Sequence, residues 1–166
     1  MSLSMHAISV PAFVRTFKAM HTWFDKAQAH ADARKFDSVN YLGLRLAPDM
    51  LPLNRQVQIA TDMAKGCVAR LSGQDVPKWD DNEASLDDLR ARVAKAVDYV
   101  QSVPAALIDG SEEREIVLPM RQGEVRYAGQ AYVLTYVLPN VYFHATAAYA
   151  LFRHAGVDIG KRDFLG

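Results

Sequence analysis

Four polar or aromatic side chains recur every four residues in the longest segment that can form one helix. Tyr132, Tyr136, Asn140 and His144 lie within residues 130–156, which are otherwise largely apolar. Since a step of four residues advances only about 40° around an α-helix, these side chains form one slowly winding stripe. Hydroxyl, amide and imidazole groups arranged in this way predict a pocket or a polar cluster inside a helix bundle.

A second amide is expected to face this stripe from another helix. Residues 53–71 have one apolar face, centred on Ala60. Gln56 lies about 40° from that centre and Gln58 about 160° from it, so we expect Gln56 to point into the core and Gln58 into solvent. The residues predicted to line the pocket are Gln56, Tyr132, Tyr136, Asn140 and His144.

The donor types argue against a tightly bound metal. A metal site in a bundle needs three or four ligands from facing helices, often two histidines one turn apart. The residue one turn before His144 is Asn140, and an amide oxygen is a weaker ligand for zinc or nickel than imidazole. We therefore predict no metal and no cofactor, with His144 as a core histidine hydrogen-bonded in a cluster with Asn140, Gln56 and a tyrosine. Whether the tyrosines line a ligand pocket or are ordinary core aromatics stays open at this point.

Four amphipathic segments predict an all-α fold. Apolar residues recur at helical spacing in the four segments, and Pro139 is expected to kink the last one. Before that last segment the period changes to two around Gly123, which predicts a small β-hairpin. The fold class is a four-helix bundle over residues 1–166, with a long connection (34–52) between helices 1 and 2 and a hairpin (114–127) before helix 4.

Composition and charge narrow the class of protein. Lys+Arg and Asp+Glu are both 19, and no basic run occurs, so we expect no nucleic-acid partner. No run of about 18 apolar residues is present, so we expect no membrane span. The single cysteine, Cys67, excludes an internal disulfide, and the first 20 residues lack a signal-peptide pattern, so we expect a cytoplasmic protein.

Two segments resemble a known family. LAPDMLPLNRQVQIATDMAKG at residues 46–66 and LPNVYFHATAAYALFRHAGVDIGKRDFLG at 138–166 resemble the bacterial proteins grouped as DUF1993, and the resemblance covers essentially the whole chain. That family is placed among the DinB/YfiT-like proteins, a four-helix-bundle superfamily that includes metal-dependent thiol transferases. The resemblance implies the same bundle, usually as a homodimer, and no established activity.

The resemblance also implies where a metal would be held. Metal-binding DinB-like proteins use three histidines, one from helix 2 and an HxxxH pair from the last long helix. On this chain the HxxxH pair falls on Asn140 and His144, and the helix-2 position falls on Gln56 or Gln58, of which Gln56 is expected to face the core. One of the three histidines is present, which agrees with the prediction of no metal.

Two functions are compatible with these residues. The first is a metal-free module that binds a small-molecule ligand or a partner, with a pocket between helices 2 and 4. The second is a transferase acting on a small, thiol-bearing substrate, with His144 as general base or as ligand to a loosely held divalent cation. Four further residues of helix 4 lie outside the polar stripe and are expected to serve either a second helix neighbour or the partner in a homodimer: Val133, Val137, Val141 and Phe152.

Overall fold

Four long helices form the body of the computed structural model, which describes residues 3–120 and 123–166. They are α1 (Met5–Arg34), α2 (Leu53–Ser72), α3 (Leu86–Ser102) and α6 (Leu138–His154). The shorter elements are a 3-10 turn (Ser38–Tyr41), α4 (Ala105–Ile108), β1 (Glu115–Met120), β2 (Gly123–Ala128), α5 (Gly129–Ala131), a π-helical segment (Tyr132–Val137) and α7 (Lys161–Leu165). The predicted helical bundle with one small hairpin is confirmed.

Going around the bundle, the four long helices follow one another in the order α1, α3, α2, α6. Asp25, late in α1, forms an ion pair with Arg90, early in α3, at 2.9 Å, so these two helices are antiparallel. Phe24, also late in α1, meets Phe152, late in α6, edge to face at 5.9 Å, so α1 and α6 run in the same direction. The helices α2 and α6 are antiparallel, because Gln56, early in α2, bonds His144 of α6, whereas Arg70, late in α2, bonds Tyr132, which precedes α6. It follows that the neighbours α2 and α3 are parallel.

Parallel neighbours require the chain to return along the bundle between them, and residues 74–84 make this return. We call them the crossover segment. Gly73 ends α2 in the left-handed region, with φ 73°, and its N–H bonds the carbonyls of Ala69 and Arg70. Ser85 caps the start of α3, since its hydroxyl accepts the Asp88 N–H at 3.1 Å.

One buried cation holds the crossover segment against the helices. Arg92 is 4% exposed, and its guanidinium donates to the Asp80 carbonyl at 3.0 Å. It also pairs with the carboxylates of Asp81 at 3.0 Å and Glu83 at 2.7 Å, and with Asp62 of α2 at 3.0 Å. Arg92 therefore links the segment to both α2 and α3.

The prediction that Gln58 points into solvent is wrong. Gln58 is 2% exposed because the crossover segment covers this face of α2, and its Nε2 donates to the Glu83 carboxylate at 2.6 Å. The angle around the helix correctly predicts which side faces the bundle core. It does not show that the crossover segment covers the opposite side.

The core fills the space between the four helices and extends under the hairpin. Its largest members include Trp23, Tyr41 and Tyr132, and Ile116 and Leu118 of β1 are buried with them. The four residues expected to serve a second helix neighbour or a dimer partner are all 0% exposed within the chain itself: Val133, Val137, Val141 and Phe152. They serve helix neighbours of their own chain.

The hairpin pairs antiparallel, with Glu115 opposite Ala128 and Met120 opposite Gly123. The turn was predicted to contain Gly123, which is the first residue of β2, and residues 121 and 122 between the strands lie outside the described residues. Within residues 3–120 and 123–166, no helix combines the length and apolar character that a membrane crossing requires.

Candidate functional site

The segment before Pro139 is a π-helix, where the sequence predicted a kinked α-helix. The N–H of Leu138 bonds the carbonyl of Val133, five residues back. Because proline has no N–H to offer and its ring crowds the preceding turn, a wider turn relieves the crowding that an α-helix would suffer here. The chain accommodates Pro139 by widening the helix over Tyr132–Val137, a feature frequent at functional sites.

Gln56 and His144 form a buried hydrogen-bonded pair. His144 Nδ1 lies 2.7 Å from Gln56 Oε1, and the two residues are 9% and 2% exposed. Gln56 Nε2 donates to the Leu51 carbonyl at 2.9 Å, so Oε1 is the acceptor and Nδ1 carries the imidazole proton. Burial lowers the pKa of His144, which keeps the ring neutral and leaves Nε2 with a free lone pair. The predicted core histidine bonded to Gln56 is confirmed.

Asn140 does not join this pair. Its Nδ2 donates to the main-chain carbonyl of Tyr136 at 2.6 Å, within its own helix. The predicted cluster of four residues therefore consists of two hydrogen-bonded residues, with Asn140 occupied by the backbone one turn away.

Tyr132 and Tyr136 lie at the other end of the groove between α2 and the last helix. Their rings stack at 5.9 Å with an interplanar angle of 20°. They line a cavity of about 280 Å³ between α2, β1 and the π segment, together with Met63, Lys65, Arg70, Leu118 and Met120. Gln56, Asn140 and His144 do not line this cavity. The predicted site residues therefore lie in two places: Gln56 and His144 meet near the start of α2, and the two tyrosines lie near its end.

Charged groups surround the cavity lined by Tyr132 and Tyr136, which we call the tyrosine cavity. Lys65 is 4% exposed, bonds Asp62 at 2.6 Å and lies 4.3 Å from the centre of the Trp79 ring. Arg70 donates from Nη1 to the hydroxyl of Tyr132 at 3.1 Å. Burial raises the pKa of Tyr132 so that its hydroxyl stays protonated.

Lys65, Arg70 and Trp79 were not predicted from the sequence as residues near the site. One signal was available: Gly66 lies in the middle of an amphipathic helix and four residues before an arginine. A Cβ at Gly66 would collide with the guanidinium of Arg70, which folds back over it. A glycine at such a position indicates that another group must approach the helix backbone closely.

The residues at the metal position of the superfamily do not fit a tightly held ion. Gln56 Oε1 and His144 Nδ1 are used by each other, and Asn140 bonds the backbone, which leaves one imidazole nitrogen and one amide oxygen. Elsewhere in the part of the chain that the structure describes, no three His, Cys, Asp or Glu side chains form a group that could hold a metal. Cys67 is buried, and burial raises the pKa of its thiol, so it remains protonated.

Comparison with known proteins shows which family the chain resembles. The family described as "Domain of unknown function (DUF1993)" matches residues 5–165. A crystal structure of a DinB family member protein from Shewanella denitrificans is 40% identical, has a TM-score of 0.91, and is matched over 97% of this chain and 91% of its own. No curated protein matches. The chain has a DinB-like helical bundle, and it belongs to the DUF1993 family.

Proposed function

We propose that this protein binds a small molecule without a metal, in the cavity between α2 and the π segment. The observation that carries the proposal is the composition of that cavity. Small-molecule sites combine apolar or aromatic walls with a few polar groups, and here Tyr132, Tyr136 and Leu118 form walls beside Lys65 and Arg70. Its volume of about 280 Å³ suits a ligand of fragment size.

Screening a fragment library by NMR tests this proposal. We expect fragments that shift the ring signals of Tyr132 and Tyr136, and we expect Tyr136→Ala to weaken their binding because it removes half of the stacked wall. Tyr142→Ala, at a position 42% exposed on the outer face of α6, is the matched control and leaves binding unchanged. Fragments that bind equally well to Tyr136→Ala would contradict the cavity as the site.

Metal analysis tests the second part of the proposal. Protein purified without a histidine tag is expected to contain no stoichiometric zinc, nickel or iron, because the hydrogen bonds of Gln56, Asn140 and His144 leave one imidazole nitrogen and one amide oxygen, fewer donors than a tight site needs. Stoichiometric metal that disappears in His144→Ala would contradict this.

A transferase that uses His144 as a general base is the second candidate. The hydrogen bond from Nδ1 to Gln56 orients the neutral ring and leaves Nε2 able to accept a proton from a thiol. The assay measures the reaction of the glutathione thiol with an aryl halide, which forms a C–S bond and releases halide, with and without a chelator. Turnover that resists the chelator and is lost in His144→Gln favours this function.

A further inference from the structure

We infer that the tyrosine cavity is an anion site, in which Arg70 binds the carboxylate or phosphate of a ligand and the rings of Tyr132 and Tyr136 hold its planar part. This inference rests on the proposed small-molecule function and adds to it the chemical class of the ligand.

The charge balance of the cavity leaves Arg70 uncompensated. Asp62 is the acidic residue of the lining, and its Oδ1 is shared between Lys65 at 2.6 Å and Arg92 at 3.0 Å. Among residues 3–120 and 123–166, no aspartate or glutamate forms an ion pair with Arg70, and its guanidinium donates to the Tyr132 hydroxyl. The positive charge facing the cavity therefore belongs to Arg70 and is available to an anion.

The position of Arg70 is built into the helix. Its guanidinium lies over Gly66, where any side chain would collide with it. A glycine in a helix interior costs up to about 1 kcal/mol relative to alanine. The absence of a side chain at Gly66 leaves the space that the guanidinium occupies against the helix and beside Tyr132.

The donors around Arg70 match an anionic group. A guanidinium carries five N–H donors in a planar fork that fits two oxygens of a carboxylate or phosphate, and one of them is used by Tyr132. The Tyr132 hydroxyl accepts that bond, so its own proton remains for a ligand oxygen. The stacked ring of Tyr136 supplies a flat surface next to this pair of donors.

Four matched probes test the inference by NMR titration: benzoate, phenyl phosphate, benzamide and benzyl alcohol. We expect at least one of the two anions to bind about tenfold or more tightly than benzamide, since charged hydrogen bonds are stronger than neutral ones. Arg70→Gln is expected to remove this preference. Arg153→Gln, an exposed arginine also in the last turn of a helix, is the matched control and keeps it. The ratio between benzoate and phenyl phosphate identifies which anionic group the site prefers.

Gly66→Ala provides a second variant that keeps the charge of Arg70 but displaces its guanidinium. It is expected to lose the preference for anions while remaining folded, which circular dichroism checks. Equal binding of benzoate, phenyl phosphate and benzamide, unchanged in Arg70→Gln, would overturn the anion site and leave the small-molecule function standing. Failure of all four probes would also overturn it, whereas the proposed function fails only if the wider fragment library yields no ligand in the cavity.

Discussion

His144 is a buried imidazole whose pKa lies below its usual 6.5 because burial disfavours the charged ring. As the pH falls through about 6.5, the unfolded chain takes up a proton at this residue and the folded chain does not until its lower pKa is reached. The unfolded state then binds more protons, so the free energy of unfolding decreases. This contribution is fully present above the unfolded pKa and is lost below it.

We therefore expect the protein to be less stable at about pH 5.5 than at about pH 7.5, and His144→Gln to reduce this difference. Urea unfolding at the two pH values measures it. His154→Gln, which changes an exposed histidine of the same helix, is the control and keeps the difference. A pH dependence that His144→Gln leaves unaltered would locate the proton uptake at another residue.

Gly66 offers a substitution in which stability and binding are expected to separate. Gly66→Ala gains about 1 kcal/mol of helix propensity and loses the Arg70–Tyr132 hydrogen bond, which is worth a similar amount. The free energy of unfolding should therefore change by less than about 1 kcal/mol, while binding of the anionic probes falls. Urea unfolding and NMR titration measure the two effects. Gly43→Ala, where an added Cβ meets nothing within 4 Å, should change neither.

Residue patterns predicted one part of the site and not the other. The pair of Gln56 and His144 followed from helical angles, because short side chains on a core-facing stripe have little choice of direction. Lys65 and Arg70 have long, flexible stems, so their position on the helix does not fix where their charged ends lie. Arg70 reaches the cavity by folding back over Gly66, and the angle of its Cα gives no sign of this.

At the scale of elements, the crossover segment depends on Arg92. Removing one partner of a buried ion pair leaves the other charge uncompensated and costs about 3–5 kcal/mol. The carboxylate most affected is Glu83, whose side chain is 8% exposed, whereas those of Asp62 and Asp81 are 38% and 35% exposed. We expect Arg92→Met to lower the free energy of unfolding by about 3 kcal/mol, at the lower end of that range.

Urea unfolding measures this loss, and limited proteolysis within residues 74–84 should accelerate with it. The control is Arg126→Met, because the Arg126 side chain is 56% exposed and its ion pairs with Glu115 and Glu124 are solvated. It should change stability by less than about 0.5 kcal/mol. A similar small effect of Arg92→Met would show that the crossover segment is held by other contacts.

Elements were predicted from the sequence more completely than their arrangement. Apolar periodicity located the four long helices. Helix direction was inaccessible because an apolar stripe looks the same in parallel and antiparallel neighbours. The pairing of Arg92 with the acidic residues of the crossover segment could therefore not be predicted from the sequence. The π-helical segment was not predicted because a helix can accommodate a proline either by bending or by widening.

At the scale of the whole molecule, the outer face of α6 exposes apolar side chains. Phe143 is 57% exposed and Tyr142 42%, and Leu46 beside them is 43% exposed. The homodimer implied by the family resemblance stays a prediction, and this patch is the surface that we expect to form it. The residues first considered for that role are instead inside the chain's own core.

Light scattering at micromolar concentration is expected to give the mass of two chains. Phe143→Asp should give a monomer, because it places a charge in the centre of the apolar patch. Leu107→Asp is the control, since Leu107 of α4 is 45% exposed but lies outside the patch, and it should leave the mass unchanged. A monomer in the unaltered protein would remove the prediction.

The wide turn at Tyr132–Val137 sets the rotational phase between the two halves of the last long helix. Shortening this stretch by one residue, to a regular α-helix, would turn everything before it by about 100° relative to α6. The Gln56–His144 pair, on the far side of the turn, would keep its alignment, whereas Tyr132 would swing away from Arg70. One residue of chain length therefore sets the orientation of Tyr132 relative to Arg70, and it does so without changing the alignment of Gln56 with His144.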